Sequence, residues 1–405
     1  MPGNVSSNKV IGIDMSVKYD YIIVGCGLAG IVLANNIATR LNKKVLIIEK
    51  RNHIGGNCYD YYDEHGVLVH KYGPHIFHTN YKDVYDYLSA YTEWYVYQFQ
   101  ARTVIDGKKT YLPFNLNTMK DILEENLYSK LCQKLIDTYG YDKTVPIYEL
   151  KQSADKDIAW LADYIYEKVY VHYIAKQWDL NPEDLDKSVL QRVPVYISRD
   201  NRYFKDRYQV MPLQGYTAMF ERMLDNKNIH VLLNANADEL IKLTDDYNVL
   251  YNDQKFDGKL IYTGQIDHLF NYQFGELPYR SLRFDLVNYK KEYFQEVAMV
   301  SYPNNYDFTR ITESKHLTGQ DCKTTTVLYE YPQDYDRHDP GKDVPYYPVP
   351  KDDNHELYKK YAEHAEKYAS LRMVGRLAQY KYFNMDQMIK VALDTFEEIQ
   401  REESK

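Results

Sequence analysis

Four cysteines, at positions 26, 58, 132 and 322 of 405 residues, form no CxxC pair and no dense framework. That excludes a disulfide-stapled scaffold and fits a reducing compartment, so a cytoplasmic setting is expected. No apolar run approaches the roughly 18 residues needed to cross a bilayer. The opening MPGNVSSNKVIGIDMSVK lacks the hydrophobic region and cleavage site of a signal peptide, so no membrane insertion is expected. An excess of positive charge is missing too. Fifty Lys and Arg against 58 Asp and Glu leave a net charge of -8, spread along the chain, which argues against nucleic acid as a partner. An anionic small molecule would have to meet a local cationic pocket. No GxSxG elbow, P-loop or zincin motif occurs, so the protein offers no obvious nucleophile of its own. Tyrosine, by contrast, is abundant: with 44 of them, a single tyrosine carries little information.

The first strong pattern is YDYIIVGCGLAG followed by IVLANNIATRL, a strand-length apolar run meeting Gly25, Gly27 and Gly30 before a helical period. A second apolar run, KKVLIIEK, ends in Glu49, about 20 residues past Gly30, where the acid of a dinucleotide fingerprint belongs. Strand, glycine turn, helix, strand and acid in this register form a dinucleotide-binding unit: the glycines let the backbone approach a pyrophosphate, and the acid takes ribose hydroxyls. Directly after Glu49 comes a second glycine turn, RNHIGGN, which favours a flavin over a nicotinamide dinucleotide. Near the C-terminus, Arg376 and a strand precede an amphipathic helix from Met385, whose positive end could face the anionic edge of a reduced flavin. Asn384 with Gln387 reads equally well as an N-cap and capping box. His75 and His78, in GPHIFHT, invite a metal reading, but no third ligand is evident nearby, and no metal is expected.

Between these ends, residues 80–178 have apolar residues at three-to-four spacing and are expected to be a helical insertion. From about residue 188 the period shortens to that of antiparallel strands in RVPVYISRD, NRYFKDRYQV, YRSLRFDLV and TTTVLYEY. The predicted fold class is α/β, with a discontinuous Rossmann-like FAD-binding domain, an inserted helical domain and an antiparallel sheet domain. The expected division is a disordered extension over 1–18; the FAD-binding domain in 19–79, 214–270 and 351–405; the helical domain in 80–178; and the substrate domain in 179–213 and 271–350. Arg192 and Arg310 lie near strands of the second half, where guanidinium forks would suit a diphosphate. The spacing alone does not single them out.

From about residue 19 to the last helix the chain resembles the bacterial UDP-galactopyranose mutases. The resemblance rests on IEKRNHIGGN, YGPHIFHT, LPFNLNT, KQW, RVPV, RYQVMPLQGYTAMF, IYTGQID, TRITESKH, PYYPV and GRLAQYKYFNMDQ as well as the first glycine turn. It implies a homodimer that interconverts UDP-galactopyranose and UDP-galactofuranose, using FAD that is active when reduced by NAD(P)H or another reductant. In this family N5 of the reduced flavin is the nucleophile toward the anomeric carbon. Carried over by position, Arg192 and Arg310 would hold the diphosphate, Tyr203, Tyr347 and Tyr382 would give it hydroxyls, and Tyr173 would stack on uracil. Trp178 would open a loop that closes over substrate. Asn115 and His78 would belong to the sugar and flavin surroundings, His78 with a catalytic part. Gly25, Gly27, Gly30, Glu49, Lys50, Asn57, His75, Ile76, Gly264, Arg376, Tyr382 and Met385 would contact FAD. Asn384, Ser301 and Ile174 depart from the usual Asp, Asn and Thr, and they leave the sugar open. A same-fold mutase for a 6-deoxy or N-acetyl hexose, or an amine-oxidase-type flavin oxidoreductase, are the alternatives.

Overall fold

The structure is a computed structural model that describes residues 17–173, 176, 194–349 and 351–405. Nearly all of the expected extension, together with Ile174, Trp178 and Arg192, therefore lies outside the described residues.

Three short segments near the N-terminus set up the groove that matters below. Strand β1 (Tyr21–Val24) and strand β2 (Val45–Ile48) are buried on both faces, as their unbroken Val, Ile and Leu demand, and they flank helix α1 (Leu28–Arg40). They pair in parallel and are extended by Ile229–Leu232 beyond β2 and by Lys259–Tyr262 and Leu371–Met373 beyond β1, giving a five-stranded parallel sheet. The chain leaves β1 toward β2 on one side and reaches β1's other side only at Lys259–Tyr262. In open α/β sheets a crevice opens at the carboxyl ends of the strands at such a reversal. Helix α1 packs against Tyr216–Leu224 and the C-terminal helix Met385–Glu403, joining Ile31, Val32, Met219, Phe220, Ile389 and Phe396 in one core.

A seven-stranded sheet forms the second layer. Its order is Tyr347–Pro348, Tyr279–Tyr289, Thr325–Asp334, Arg310–Glu313, Met299–Ser301, Ala101–Ile105 and Lys108–Leu112. Here the helical insertion expected over 80–178 needs correcting, because residues 94–96, 101–105 and 108–112 are strands. Ala101–Ile105 alternates buried and half-buried positions, a period of two. Asp106 and Gly107 both have positive φ, 47° and 80°, the turn that an Asp-Gly pair builds between hairpin strands. The helical body proper is Leu116–Ile122, Glu125–Tyr139, Ile147–Lys151 and Lys156–Ile165, continuing into a π-helical turn at Tyr166–Val171. Its core includes Phe114, Met119, Leu131, Leu135, Ile158 and Leu161.

The strand expected at NRYFKDRYQV shrinks to Tyr208–Pro212. Side chains compete for the backbone before it: Asp200 Oδ1 accepts the Arg202 amide at 3.0 Å, and Gln209 Nε2 donates to the carbonyls of Phe204 and Asp206. Strand β3 (Asp60–Tyr62) and strand β4 (Leu68–His70) form a small hairpin beside the groove. No helix among the described residues is long and apolar enough to cross a membrane.

Candidate active site

At the carboxyl ends of β1, β2 and Lys259–Tyr262 lies a groove with about 1370 Å³ of empty space, its open mouth included. Gly25, Gly27, Glu49, Lys50, Asn57, His75, Gly264, Arg376, Asn384 and Met385 all line it.

The two glycine turns build its floor together. Gly25 has φ +102°, and a Cβ there would meet Thr263 Oγ1 at 2.1 Å; a Cβ on Gly30 would meet the Gly25 carbonyl oxygen at 2.2 Å. The second turn docks on the first: the Gly55 amide donates to the Cys26 carbonyl at 2.8 Å, and a Cβ on Gly56 would stand 2.8 Å from Gly27 Cα. Backbone therefore touches backbone where α1 begins, and α1 has no side-chain cap, leaving its first amides for an anion. Glu49 is buried at the end of β2. Its Oε2 accepts the Cys26 amide at 2.8 Å and its Oε1 the Arg51 amide at 2.9 Å, so each oxygen keeps a lone pair for a ribose hydroxyl. Arg51 in turn donates to Asn57 Oδ1 at 3.0 Å. A cradle made of bare backbone, a helix start and a fixed carboxylate fits the ribose and pyrophosphate of FAD. Ile76 packs against the core that backs the groove.

A second cluster begins where the groove ends. Arg376 donates from Nε and Nη2 to the Phe383 carbonyl and lies 4.6 Å over the Tyr382 ring; Tyr382 stands 6.0 Å from Tyr347. Tyr347, Tyr173 and Tyr203 all feel the Arg310 guanidinium electrostatically. The structure thus gathers Arg310 with the four tyrosines that chain position alone could not select. Burial pushes the Tyr173 hydroxyl up to about 12, with Arg310 pulling the other way, and burial raises Tyr203 and Tyr347 as well. All three hydroxyls stay protonated at neutral pH, so toward an anion they act as donors.

Arg310 is tied to Glu330. Its Nε donates to Glu330 Oε2 at 2.7 Å, across two strands in register, and the carboxylate is 1% exposed with Oε1 buried and unbonded. No motif marks Glu330; only the register of 310–313 against 327–330 brings it to Arg310. The pair is neutral overall, so a diphosphate needs a further cation. Ser301 sits directly opposite Arg310 in the adjacent strand and is buried.

Other expected residues make their own local contacts. Asn115 caps Leu116–Ile122 by accepting the Asn117 and Thr118 amides, and it donates to Asn201 Oδ1. His78 donates toward Asp206 Oδ2 at 2.9 Å and stacks on Phe204 at 3.6 Å, whereas the neighbouring His75 lines the groove. At Asn384, Gln387 Oε1 accepts the backbone amide at 3.0 Å, while the Gln387 amide goes to Asp386 Oδ1.

Comparison with known proteins places this geometry. Residues 168–382 match the family model for UDP-galactopyranose mutase, and residues 23–91 match an NAD(P)-binding Rossmann-like domain. A UDP-galactopyranose mutase of Mycoplasma pneumoniae is 35% identical over 387 residues, covering 94% of this chain and 96% of the relative. A dTDP-fucopyranose mutase of Escherichia coli is 33% identical over 380 residues, covering 92% and 96%. Among solved structures, a reduced UDP-galactopyranose mutase superposes with a TM-score of 0.69 at 15% identity, covering 96% of this chain and 95% of that one.

Proposed function

The chain belongs to the UDP-galactopyranose mutase family of FAD-dependent isomerases, and from that premise we propose that it interconverts UDP-galactopyranose and UDP-galactofuranose. The observation that carries the reading is the Arg310 guanidinium within electrostatic reach of Tyr173, Tyr203 and Tyr347, with Tyr382 beside Tyr347, next to a groove floored by two glycine turns. Reduced FAD supplies a nucleophilic nitrogen, N5, for the anomeric carbon, the role for which this chain has no obvious group of its own.

The protein's own task is then to hold a nucleotide diphosphate as a leaving group and to receive it again. Arg310, oriented through Nε by Glu330, offers its outer nitrogens to the diphosphate. Tyr203, Tyr347 and Tyr382 donate hydroxyl protons to the same oxygens, and Tyr173 stacks on the base. Arg192 supplies the cation that the neutral Arg310–Glu330 pair lacks, with Trp178 closing the site over the substrate. Electrons come from NAD(P)H or another reductant, and the working unit is a homodimer.

A second reading concerns the sugar. The relative that acts on dTDP-fucopyranose is nearly as similar as those that act on UDP-galactopyranose, and Asn384 in the groove wall and Ser301 opposite Arg310 stand where the resemblance leads one to expect Asp and Asn. The test is to incubate the enzyme and dithionite with UDP-galactofuranose or dTDP-fucofuranose and to separate the nucleotide sugars by chromatography. A pyranose product from the first alone supports the proposal; a product from the second alone moves the assignment to a 6-deoxy sugar. No product from either rejects both.

A further inference from the structure

His70 is 3% exposed, ends β4, and is absent from the wall of the groove, yet its ring decides how His75 is presented there. The His75 backbone amide donates to His70 Nδ1 at 3.0 Å. An amide can only donate, so His70 Nδ1 carries no proton, and the neutral ring holds its proton on Nε2. The His75 carbonyl accepts from Tyr216 Oη at 3.1 Å, and the Tyr216 ring meets His70 edge-on with centroids 5.7 Å apart. Asp60, paired with His70 across the β3–β4 hairpin, accepts the amides of Tyr216 and Thr217 and so ties the third member to the first. His70, His75 and Tyr216 form a closed loop of contacts.

The His75 ring is settled by the same logic. Its Nδ1 lies 2.9 Å from the Gly73 carbonyl oxygen, which can only accept, so His75 is protonated at Nδ1. Nε2 is left with a bare lone pair and no hydrogen bond among the described residues. Burial, with Arg376 and Arg310 acting in the same sense and only the Gly73 hydrogen bond opposing, keeps this ring neutral. His75 lines the groove together with Arg376, and a Cβ on Gly73, two residues before it, would stand 3.7 Å from Glu330 Oε2, the carboxylate that holds Arg310, so His75 stands close to where the groove and the Arg310 cluster meet.

We propose that His70 is a positioning residue that locks His75 as an obligate hydrogen-bond acceptor at the junction of the FAD groove and the Arg310 pocket, where His75 takes a proton donor of the cofactor or of a sugar hydroxyl. The proposal rests on the reading that the groove seats FAD. It assigns His75 no part as an acid.

The test compares holoenzyme carrying His70→Asn, whose side-chain oxygen can stand where Nδ1 stood, with His70→Leu, which leaves the His75 amide without an acceptor. Leu is expected to shift the visible absorption band of bound oxidised FAD and to lower kcat by roughly tenfold to a hundredfold, the scale for stranding a buried donor. KM should stay within about twofold, and Asn should restore both band and kcat. Asn behaving like Leu, or Leu behaving like wild type, would overturn the proposal. Nitrogen-15 NMR of wild-type holoenzyme serves as the second measurement, also if Leu fails to fold. It should show Nδ1 of His70 and Nε2 of His75 unprotonated, and a proton on either refutes the assignment. The absorption and NMR readouts need no turnover, so a wrong sugar substrate leaves them standing.

Discussion

Replacing Gly56 by Ala tests the idea that the second glycine turn exists to support the first. Gly56 has φ +55°, and an alanine there costs about 1–2 kcal/mol in backbone strain. Its Cβ would also stand 2.8 Å from Gly27 Cα, where ordinary contact begins at 3.4 Å, so one backbone must retreat by 0.6 Å (3.4 minus 2.8). Neither partner is a flexible side chain that could swing aside. Gly27 is the residue from which α1 starts, so the retreat misaims the amides that face the pyrophosphate. Losing one or two such charge-assisted bonds, at about 1.5–3 kcal/mol each, lowers FAD affinity by roughly tenfold to ten-thousandfold. The melting temperature of the apoprotein should fall by only a few degrees, on the order of what 1–2 kcal/mol gives in a chain of this size. Gly66→Ala is the control: φ is +76°, but nothing lies within 4 Å of the added carbon. The assay is a fluorescence titration of apoprotein with FAD, alongside the flavin-to-protein absorbance ratio after gel filtration. Wild-type FAD affinity in Gly56→Ala, or an equal loss in Gly66→Ala, would refute the reasoning.

Arg310→Ala and Arg192→Ala should each nearly abolish turnover while the protein stays yellow and folded; loss of flavin from either, seen in the absorbance spectrum, would relocate that arginine to the cofactor groove. Glu330→Gln should keep FAD and lower kcat by about tenfold or more, because Arg310 loses its ionic tether in a buried place; unchanged kcat in steady-state assays would show that Glu330 does not orient it. His75, held down to about 3 chiefly by burial, stays neutral in the fold while the unfolded chain takes up a proton below about pH 6.5. Stability therefore falls as pH drops from about 6.5 toward 4, by up to about 1.4 kcal/mol per pH unit from this group. Denaturant unfolding of wild type and His75→Gln across that range should show the variant with the shallower slope. Asn384→Asp should leave the melting temperature and activity nearly unchanged, since both residues start helices well, and a large loss of activity at constant melting temperature would assign Asn384 to the chemistry.

The dinucleotide unit was legible because every one of its parts is local: YIIV, the glycine turn, α1, VLII and Glu49 follow one another without interruption from Tyr21 onward. The C-terminal helix was legible for the same reason, and it begins at Met385 as its period and cap imply. The hairpin at 101–112 was hidden inside a stretch read as helical, although its Asp-Gly pair and β-branched Thr103, Val104 and Ile105 were a sufficient signal. Glu330 and His70 could not be read at all. Each acquires its meaning from a partner fixed by strand register or by a loop returning, Arg310 for one and the His75 amide for the other. Tyr173, Tyr203, Tyr347 and Tyr382 show the other limit: in a chain so rich in tyrosine, resemblance could nominate them, and only tertiary packing brings the first three within reach of Arg310 and sets Tyr382 between Tyr347 and Arg376.

The order of strands in the parallel sheet carries a consequence for biosynthesis. Its central strand, β1, is made some 350 residues (371 minus 21) before the edge strand Leu371–Met373 and the helix that covers α1. At about 5–20 residues per second, the ribosome needs roughly 20–70 s to pass from one to the other. Throughout that interval the face of α1 that packs on the C-terminal helix stays uncovered, so the nascent chain is a natural client for holdase chaperones. C-terminal truncations before residue 385 should accumulate as aggregates rather than as a smaller soluble domain.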